Sequence, residues 1–219
     1  MNCLHIRAEL NSAAETLIIL LPGAYNRAAD FIAAGFGEIA QKNRRRFDLA
    51  LPDLDLTQLS SGEALPLLRE QLILPARKAG VKTIWLGGAS LGGFNSLVYA
   101  DTYPNEIDGL CLLAPWPGSR ISRRLIETAG GLDRWTPSQQ DLAGDAELRV
   151  WHWLREQKRA NRRLPIFIGW GSEDRFASGI AAYAEQMPEA DVISIPGGHD
   201  WPVWASLWQN FCALDVLSA

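Results

Sequence analysis

Seven short apolar runs, rich in branched side chains and typically closed by Gly or Pro, alternate along the chain with longer stretches of helical periodicity. This alternation is typical of a parallel β-sheet covered by helices. The later runs are too continuously apolar for an antiparallel sheet with one solvated face. In chain order they are CLHIRAE, TLIILLP, FDLALP, KTIWLGG, LCLLAP, LPIFIGWG and DVISIPGG. The sequence therefore predicts an α/β fold with a mostly parallel sheet of about seven strands.

The stretches between these runs predict helices and one insertion. We expect helices over residues 28–42 and 63–78, from Ser90 onward, and from Trp201 towards the end of the chain. Residues 116–163 form the longest stretch between two strand candidates, with amphipathic pieces separated by Gly and Pro. We expect this stretch to be a helical, lid-like insertion before the sixth strand.

Length and charge limit the possible organisation and partners. With 219 residues, 47% of them hydrophobic, the chain has apolar material for one core, so we expect a single domain over residues 1–219. The formal net charge of -4 gives no overall attraction to nucleic acid or to an acidic membrane surface. We therefore expect a small-molecule partner, and neither a nucleic acid nor a membrane; the oligomeric state stays open.

The three cysteines are sparse and irregularly spaced. Cys3, Cys111 and Cys212 fit neither a disulfide framework nor a metal site, and they are expected to be small buried residues. The first residues lack a basic region followed by an apolar run, and no apolar stretch approaches membrane-spanning length. These features favour a cytoplasmic location.

Ser90 lies in GASLG, a Gly-x-Ser-x-Gly pattern that joins the fourth strand candidate to the helix after it. So tight a turn strains the serine backbone, and side chains in place of Gly88 or Gly92 would collide with neighbouring backbone. The hydroxyl is then exposed at a helix N-terminus, where the helix dipole favours a developing negative charge. The pattern is typical of a nucleophile elbow.

A serine hydroxyl is a weak nucleophile until a base takes its proton. Three histidines are available in the sequence. His5 lies in the first strand candidate and His152 in the insertion, whereas His199 follows the last strand, in IPGGHDW. His199 is therefore the candidate base.

The base in turn needs a carboxylate that orients its ring. Asp174 follows the sixth strand candidate, in GSED, and is the candidate acid, with Glu173 and Asp200 as rivals. The resulting chain order is Ser90, Asp174, His199.

GASLG after an apolar strand, GSED after a later strand and GGHDW after the last strand together resemble the α/β-hydrolase superfamily. The resemblance covers nearly the whole chain and is closest to compact bacterial esterase-like serine hydrolases. It implies the α/β-hydrolase fold, with Ser90 as nucleophile, His199 as general base and acid, and Asp174 as the residue that orients the imidazole. No cofactor and no metal are expected.

An acyl-transfer site also needs N–H donors aimed at the oxyanion of the tetrahedral intermediate. The resemblance implies that these are the backbone amides of Leu91 and of Ala24, which lies in LLPGAY. Pro22 stands where the family usually has His, so Tyr25 remains an alternative to Ala24.

Three of the nine tryptophans occupy strand ends or the loops beyond them. Trp116 follows the fifth strand, Trp170 lies at the end of the sixth, and Trp201 follows His199. Because the carboxyl ends of strands border the active crevice, these residues are candidates for an apolar substrate pocket.

One further motif suggests different chemistry. DLDLT, which begins at Asp53, matches the DxDxT of magnesium-dependent phosphatases, although Pro52 precedes it directly and no partner Lys or paired acidic loop follows. The function predicted here is hydrolysis of a small or medium carboxylic ester or thioester through an acyl-enzyme on Ser90. A non-catalytic small-molecule binder with the same fold and the Asp53 phosphatase are the alternatives.

Overall fold

A computed structural model of the chain describes residues 1–8, 14–42, 47–160 and 164–214. It contains one seven-stranded sheet in the order β1-β3-β2-β4-β5-β6-β7. Strand β1 pairs antiparallel with β3, and all other neighbours are parallel. The strands are β1 Cys3–Ile6, β2 Thr16–Leu21, β3 Phe47–Pro52, β4 Thr83–Ala89, β5 Gly109–Leu113, β6 Ile166–Gly171 and β7 Asp191–Ile195. The mostly parallel sheet predicted from the seven apolar runs is confirmed.

Helices connect the strands and cover the sheet. They are α1 Ala28–Ala33, α2 Phe36–Lys42, α3 Leu56–Ser61, α4 Ala64–Leu68, α5 Leu74–Lys78, α6 Leu91–Thr102, α7 Arg120–Thr128, α8 Gln139–Gly144, α9 Ala146–Arg159, α10 Ala177–Ala184 and α11 Trp201–Cys212. A π-helical turn, Arg69–Ile73, joins α4 to α5 without a break. The helices predicted over 63–78, after Ser90 and from Trp201 are confirmed.

One helix prediction differs from the structure, and the predicted insertion is resolved into separate helices. The helix predicted over 28–42 is split, because Gly35 adopts a left-handed backbone with φ +80° that ends α1 and lets α2 begin at Phe36. The insertion predicted over 116–163 contains α7, α8 and α9, which precede the strand β6, and its last three residues lie outside the described residues. Local turn chemistry, rather than hydrophobic periodicity, sets these breaks.

The central strands are buried along their whole length. Ile18 in β2, Leu86 in β4, Leu112 in β5 and Ile168 in β6 are all inaccessible to solvent. Helices on both faces remove these strands from water, which explains why their sequences are continuously apolar rather than alternating. Within the described residues, no helix has the length and apolarity needed to cross a bilayer.

The order of the strands places a crevice at the carboxyl ends of β2 and β4. Strand β3 lies on one side of β2 and β4 on the other, so the connections leaving β2 and β3 run in opposite directions. In open α/β sheets, ligands bind where the strand order reverses in this way. The loop after β2 and the turn after β4 therefore face each other at this position.

Helix α11 is held to the sheet by aromatic side chains. Trp208 is fully buried, its Nε1–H donates to the carbonyl of Phe36 at 3.0 Å, and its ring stacks on Phe36 and Phe211 with centroids 5.6 and 5.5 Å away. The same side chain thus joins α11 to α2. A buried indole that makes both ring contacts and a hydrogen bond is a strong determinant of packing.

Replacing Trp208 should therefore cost much of the stability of the fold. We expect Trp208→Ala to lower the free energy of unfolding by about 3–5 kcal/mol, because it opens a large cavity and leaves a buried carbonyl unpaired. Urea denaturation of both proteins measures the difference. Ile121→Ala, at a side chain that is 75% exposed, is the control and should change stability by under about 0.5 kcal/mol; equal effects at the two positions would contradict the assignment.

Candidate active site

Ser90 occupies a turn of a single residue between β4 and α6. Its backbone has φ 50° and ψ -115°, a conformation that costs a residue with a side chain about 1–3 kcal/mol. Its N–H donates to the carbonyl of Leu113 in β5 at 3.0 Å, and its carbonyl accepts from Phe94 and from Trp116. These bonds fix the turn, and the side chain is directed to the carboxyl edge of the sheet.

The glycines of the turn leave room for neighbouring backbone. A Cβ at Gly92 would lie 2.2 Å from the carbonyl oxygen of Leu21, and one at Gly88 would lie 2.4 Å from the same oxygen. The first turn of α6 therefore packs directly on the end of β2, at a distance that no side chain permits. This is the collision expected from the sequence GASLG.

His199 lies between β7 and α11, and each of its two ring nitrogens faces a different side chain. Its Nε2 is 2.8 Å from Ser90 Oγ, and its Nδ1 is 2.6 Å from Asp174 Oδ2. Because an ionised carboxylate only accepts hydrogen bonds, Nδ1–H donates to Asp174, and Nε2 accepts from the serine hydroxyl. The structure brings together the three side chains that are widely separated in the sequence.

Asp174 is held in place by the turn that follows β6. Its side chain is inaccessible to solvent, and Oδ1 accepts from the backbone N–H of Phe176 at 2.8 Å, while Oδ2 faces the imidazole. The two rival acids lie elsewhere: Glu173 is exposed, and the carboxylate of Asp200 caps α11 by accepting from Val203 N–H. Asp174 is thus the carboxylate that contacts the ring of His199.

Two aromatic rings fix the plane of the imidazole. Phe176 and Trp204 meet the ring of His199 edge to face, at centroid distances of 5.1 and 5.2 Å and angles of 84° and 88°. The sequence analysis did not identify either as a site residue. The only signal for Phe176 was its position two residues after Asp174, whereas Trp204 gave none, because its approach to His199 depends on the start of α11.

The loop after β2 lies against the serine. A Cβ built at Gly23 would be 3.5 Å from Cβ of Ser90, and Ala24 and Leu91 line the same cleft as Ser90. Tyr25 has a left-handed backbone with φ 63°, and its side chain is 87% exposed. The position of Ala24 beside Ser90 favours it over Tyr25 as the second candidate donor.

The cleft around Ser90 has an empty volume of about 1110 Å³, part of it open to solvent. Trp116 lines it together with Phe94, and their rings meet at 5.0 Å. Trp170 and Trp201 are not among the described residues that line it: Trp170 is half-buried in β6, and Trp201 packs on Phe31 at 5.1 Å. Only one of the three predicted tryptophans therefore faces the cleft.

The DLDLT segment serves a structural purpose in this fold. The carboxylate of Asp55 accepts from Gln58 N–H and caps α3. Asp53 lies 3.7 Å from the guanidinium of Arg27. Among the described residues, no group of three or more His, Cys, Asp or Glu side chains is arranged to hold a metal ion.

Solved structures resemble this chain over most of its length. FphF of Staphylococcus aureus, a fluorophosphonate-binding serine hydrolase, is 13% identical with a TM-score of 0.66, covering 96% of this chain and 90% of its own. An S-formylglutathione hydrolase (FrmB) from Staphylococcus aureus is 14% identical with a TM-score of 0.66, covering 96% of this chain and 90% of its own. A monoacylglycerol lipase from Paleococcus ferrophilus is 14% identical with a TM-score of 0.61, covering 96% of this chain and 97% of its own. The chain has the α/β-hydrolase fold.

No protein-family model matches the sequence, and no curated protein sequence matches it significantly. The likeness to the solved structures is therefore one of three-dimensional fold. This agrees with the low identities above, and it leaves the chemistry of this chain to be argued from its own side chains.

The close packing of α6 on β2 gives a test of the turn at Ser90. We expect Gly92→Ala to lower the free energy of unfolding by about 1–3 kcal/mol, since the added Cβ would overlap the backbone of β2. Gly144→Ala is the matched control: the same methyl group at the end of α8 meets no atom within 4 Å, and it should leave stability unchanged or slightly raised. Thermal or urea unfolding measures both, and a Gly92→Ala protein as stable as the control would exclude the predicted collision.

Proposed function

We propose that this protein is a serine hydrolase that cleaves a small or medium carboxylic ester or thioester. The observation that carries the proposal is the continuous hydrogen-bond path from Asp174 through His199 to Ser90, with separations of 2.6 and 2.8 Å. A general base must lie within this reach of the proton that it removes. The three residues then act as a Ser-His-Asp catalytic triad.

Each residue has one task in the proposed reaction. Ser90 Oγ attacks the carbonyl carbon while His199 Nε2 takes its proton, and the imidazolium then gives that proton to the leaving oxygen or sulfur. Asp174 keeps the ring in the tautomer with hydrogen on Nδ1 and stabilises its positive charge. Water, deprotonated by the same imidazole, hydrolyses the acyl-enzyme and regenerates Ser90. No cofactor takes part in these steps.

In this mechanism, the backbone N–H groups of Leu91 and Ala24 donate hydrogen bonds to the oxyanion of the tetrahedral intermediate. Leu91 is the first residue of α6, and the first N–H groups of a helix have no partner within the helix. Ala24 approaches the same space from the loop after β2. Removal of one such donor typically costs on the order of 10²–10³ in kcat.

The walls of the cleft favour an apolar or aromatic group beside the scissile bond. Phe94 and Trp116 provide aromatic surface next to Ser90. The segment between β5 and β6 contributes residues 144–147 to the rim of the cleft. This supports the proposal that the segment acts as a lid over a single catalytic domain. The cytoplasmic location stays a prediction from the cysteine content.

The structural neighbours support an ester hydrolase without identifying its substrate. FphF binds fluorophosphonates as a serine hydrolase, and the other two neighbours are named for hydrolysis of a thioester-type and an ester-type compound. A panel of short p-nitrophenyl esters and thioesters of the same acyl groups, compared by kcat/KM, decides between ester and thioester.

A fluorophosphonate probe tests whether Ser90 is activated. We expect covalent labelling of the wild-type protein at Ser90, and loss of labelling and of turnover in Ser90→Ala and His199→Ala. The control His152→Ala changes a histidine of α9 that lies outside the Ser90 cleft and should label normally. A folded wild-type protein that neither labels nor hydrolyses any ester would favour the non-catalytic binder.

The assignment of the acid has its own test. Asp174→Asn should lower kcat by roughly 10³–10⁴-fold, because an amide no longer holds the reactive tautomer of the imidazole. Glu173→Gln removes the adjacent, exposed carboxylate and should change kcat by less than about twofold. Steady-state kinetics with a p-nitrophenyl ester compares them, and a nearly silent Asp174→Asn would mean that another group orients His199.

A further inference from the structure

A second cavity adjoins the cleft around Ser90. It has about 820 Å³ of empty volume, part of it open to solvent, and it shares Trp116, Arg175 and Phe176 with the cleft. Its remaining wall includes Arg120 and Arg123 from α7. Three arginines therefore surround a space that is continuous with the proposed reaction site.

The lining of this second cavity is unusually basic for an acidic protein. The chain has a net charge of -4, yet no Asp or Glu belongs to the described residues that line the cavity. Within the described part of the chain, Arg120 and Arg175 have no carboxylate at ion-pair distance, and Arg123 has only Glu127, at 3.6 Å and with a side chain that is 67% exposed. An exposed pair of this kind contributes little, so the guanidinium groups remain available to a ligand.

The helix that carries two of the arginines is fixed by partly buried hydrogen bonds. The carboxylate of Glu147 in α9 accepts from the backbone N–H and the hydroxyl of Ser119, both at 2.8 Å, and from the hydroxyl of Ser122. These bonds anchor the first turn of α7 to α9 and engage the carboxylate of Glu147. Arg123 also reaches Ser178 at the start of α10, with Nη1 3.5 Å from Oγ.

The position of the third arginine indicates which part of a substrate would enter the cavity. The guanidinium of Arg175 stacks on the ring of Phe176 at 4.8 Å, and that ring packs on His199 at 5.1 Å. In the proposed mechanism, the leaving group must lie beside His199, because this residue delivers the proton to it. The arginine cavity therefore lies on the leaving-group side of the scissile bond.

We propose that the substrates of the Ser90 site are esters or thioesters whose leaving group carries an anion, a carboxylate or a phosphate, bound by Arg120, Arg123 and Arg175. This inference rests on the proposed function and adds the substrate class to it. Guanidinium groups match both oxyanions, since they donate two parallel hydrogen bonds. In the reaction, Ser90 Oγ first adds to the acyl carbon, and the bond to the leaving oxygen or sulfur breaks when the tetrahedral intermediate collapses to the acyl-enzyme. The leaving group takes the proton from His199 and departs with its anion unchanged.

Matched aryl acetates test the proposal. The kcat/KM is measured for 4-acetoxybenzoate, for 4-acetoxyphenyl phosphate and for the neutral methyl 4-acetoxybenzoate, in the wild type and in Arg120→Gln/Arg123→Gln. We expect the ratio of anionic to neutral substrate to fall by about tenfold or more in the double variant, mainly through KM, because the anion does not react. The neutral ester should change by less than about twofold, and the anionic preference of the wild type should weaken as salt increases.

Arg124→Gln is the matched control, since it removes a charge from the same helix at a side chain that does not line the cavity. It should keep the wild-type ratio. A larger effect on the phosphate than on the carboxylate substrate identifies phosphate as the preferred anion, and the reverse identifies carboxylate. Equal ratios in all three proteins would overturn the proposal.

A further experiment tests on which side of the scissile bond the arginines bind the anion. Mono-4-nitrophenyl glutarate carries a negative charge on its acyl chain, and 4-nitrophenyl pentanoate is the neutral ester of the same acyl length. An arginine-dependent preference for the glutarate would overturn the assignment to the leaving group.

Binding of 4-hydroxyphenyl phosphate, followed by calorimetry, separates this inference from the proposed function. We expect about tenfold weaker binding to Arg120→Gln/Arg123→Gln than to the wild type. Arginine-dependent binding in a protein whose Ser90 is inert to fluorophosphonate would refute the hydrolase and leave the anion site standing. An active esterase that shows arginine-dependent binding of neither 4-hydroxyphenyl phosphate nor 4-hydroxybenzoate would refute the anion site alone.

Discussion

The contact between the first turn of α6 and the end of β2 is the constraint on which the site depends. Gly92 lets the helix backbone approach the carbonyl of Leu21 at a distance that excludes a Cβ. That approach, together with the bond from Ser90 N–H to Leu113, holds Ser90 at a positive φ. The packing of the sheet thereby stabilises a turn that would be unfavourable in isolation. It also brings the loop after β2, with Ala24, beside the hydroxyl.

The parallel sheet supplies the rest of the arrangement. Strands β4, β6 and β7 all end at the same edge, so the residues that follow them meet, although Ser90 and His199 are 109 positions apart. The loops are short and held by hydrogen bonds, such as that from the backbone N–H of Phe176 to the carboxylate of Asp174. The rings of Phe176 and Trp204 pack edge to face against the imidazole. The scaffold thus holds the three side chains at hydrogen-bond distance from one another.

Much of the fold could be predicted because its signals are local. Apolar runs defined all seven strands, and GASLG located the turn at Ser90. The break of the first predicted helix at Gly35 was missed, since the amphipathic pattern continues through it. Trp170 and Trp201 were expected at the cleft from their places near strand ends, but the direction of a side chain at the end of a strand depends on its neighbours. The packing of Trp201 on Phe31 is such a long-range contact.

The sequence by itself determined the succession of strands and helices along the chain, the strained turn at Ser90 and the candidate side chains for the site. These follow from periodicity, glycine placement and side-chain chemistry, which act over a few residues. Only the tertiary structure decided which acid meets His199, which tryptophan lines the cleft, and that Arg120, Arg123 and Arg175 share one cavity. Such contacts are set by how helices and loops pack across the sheet, and no short stretch of sequence contains that information.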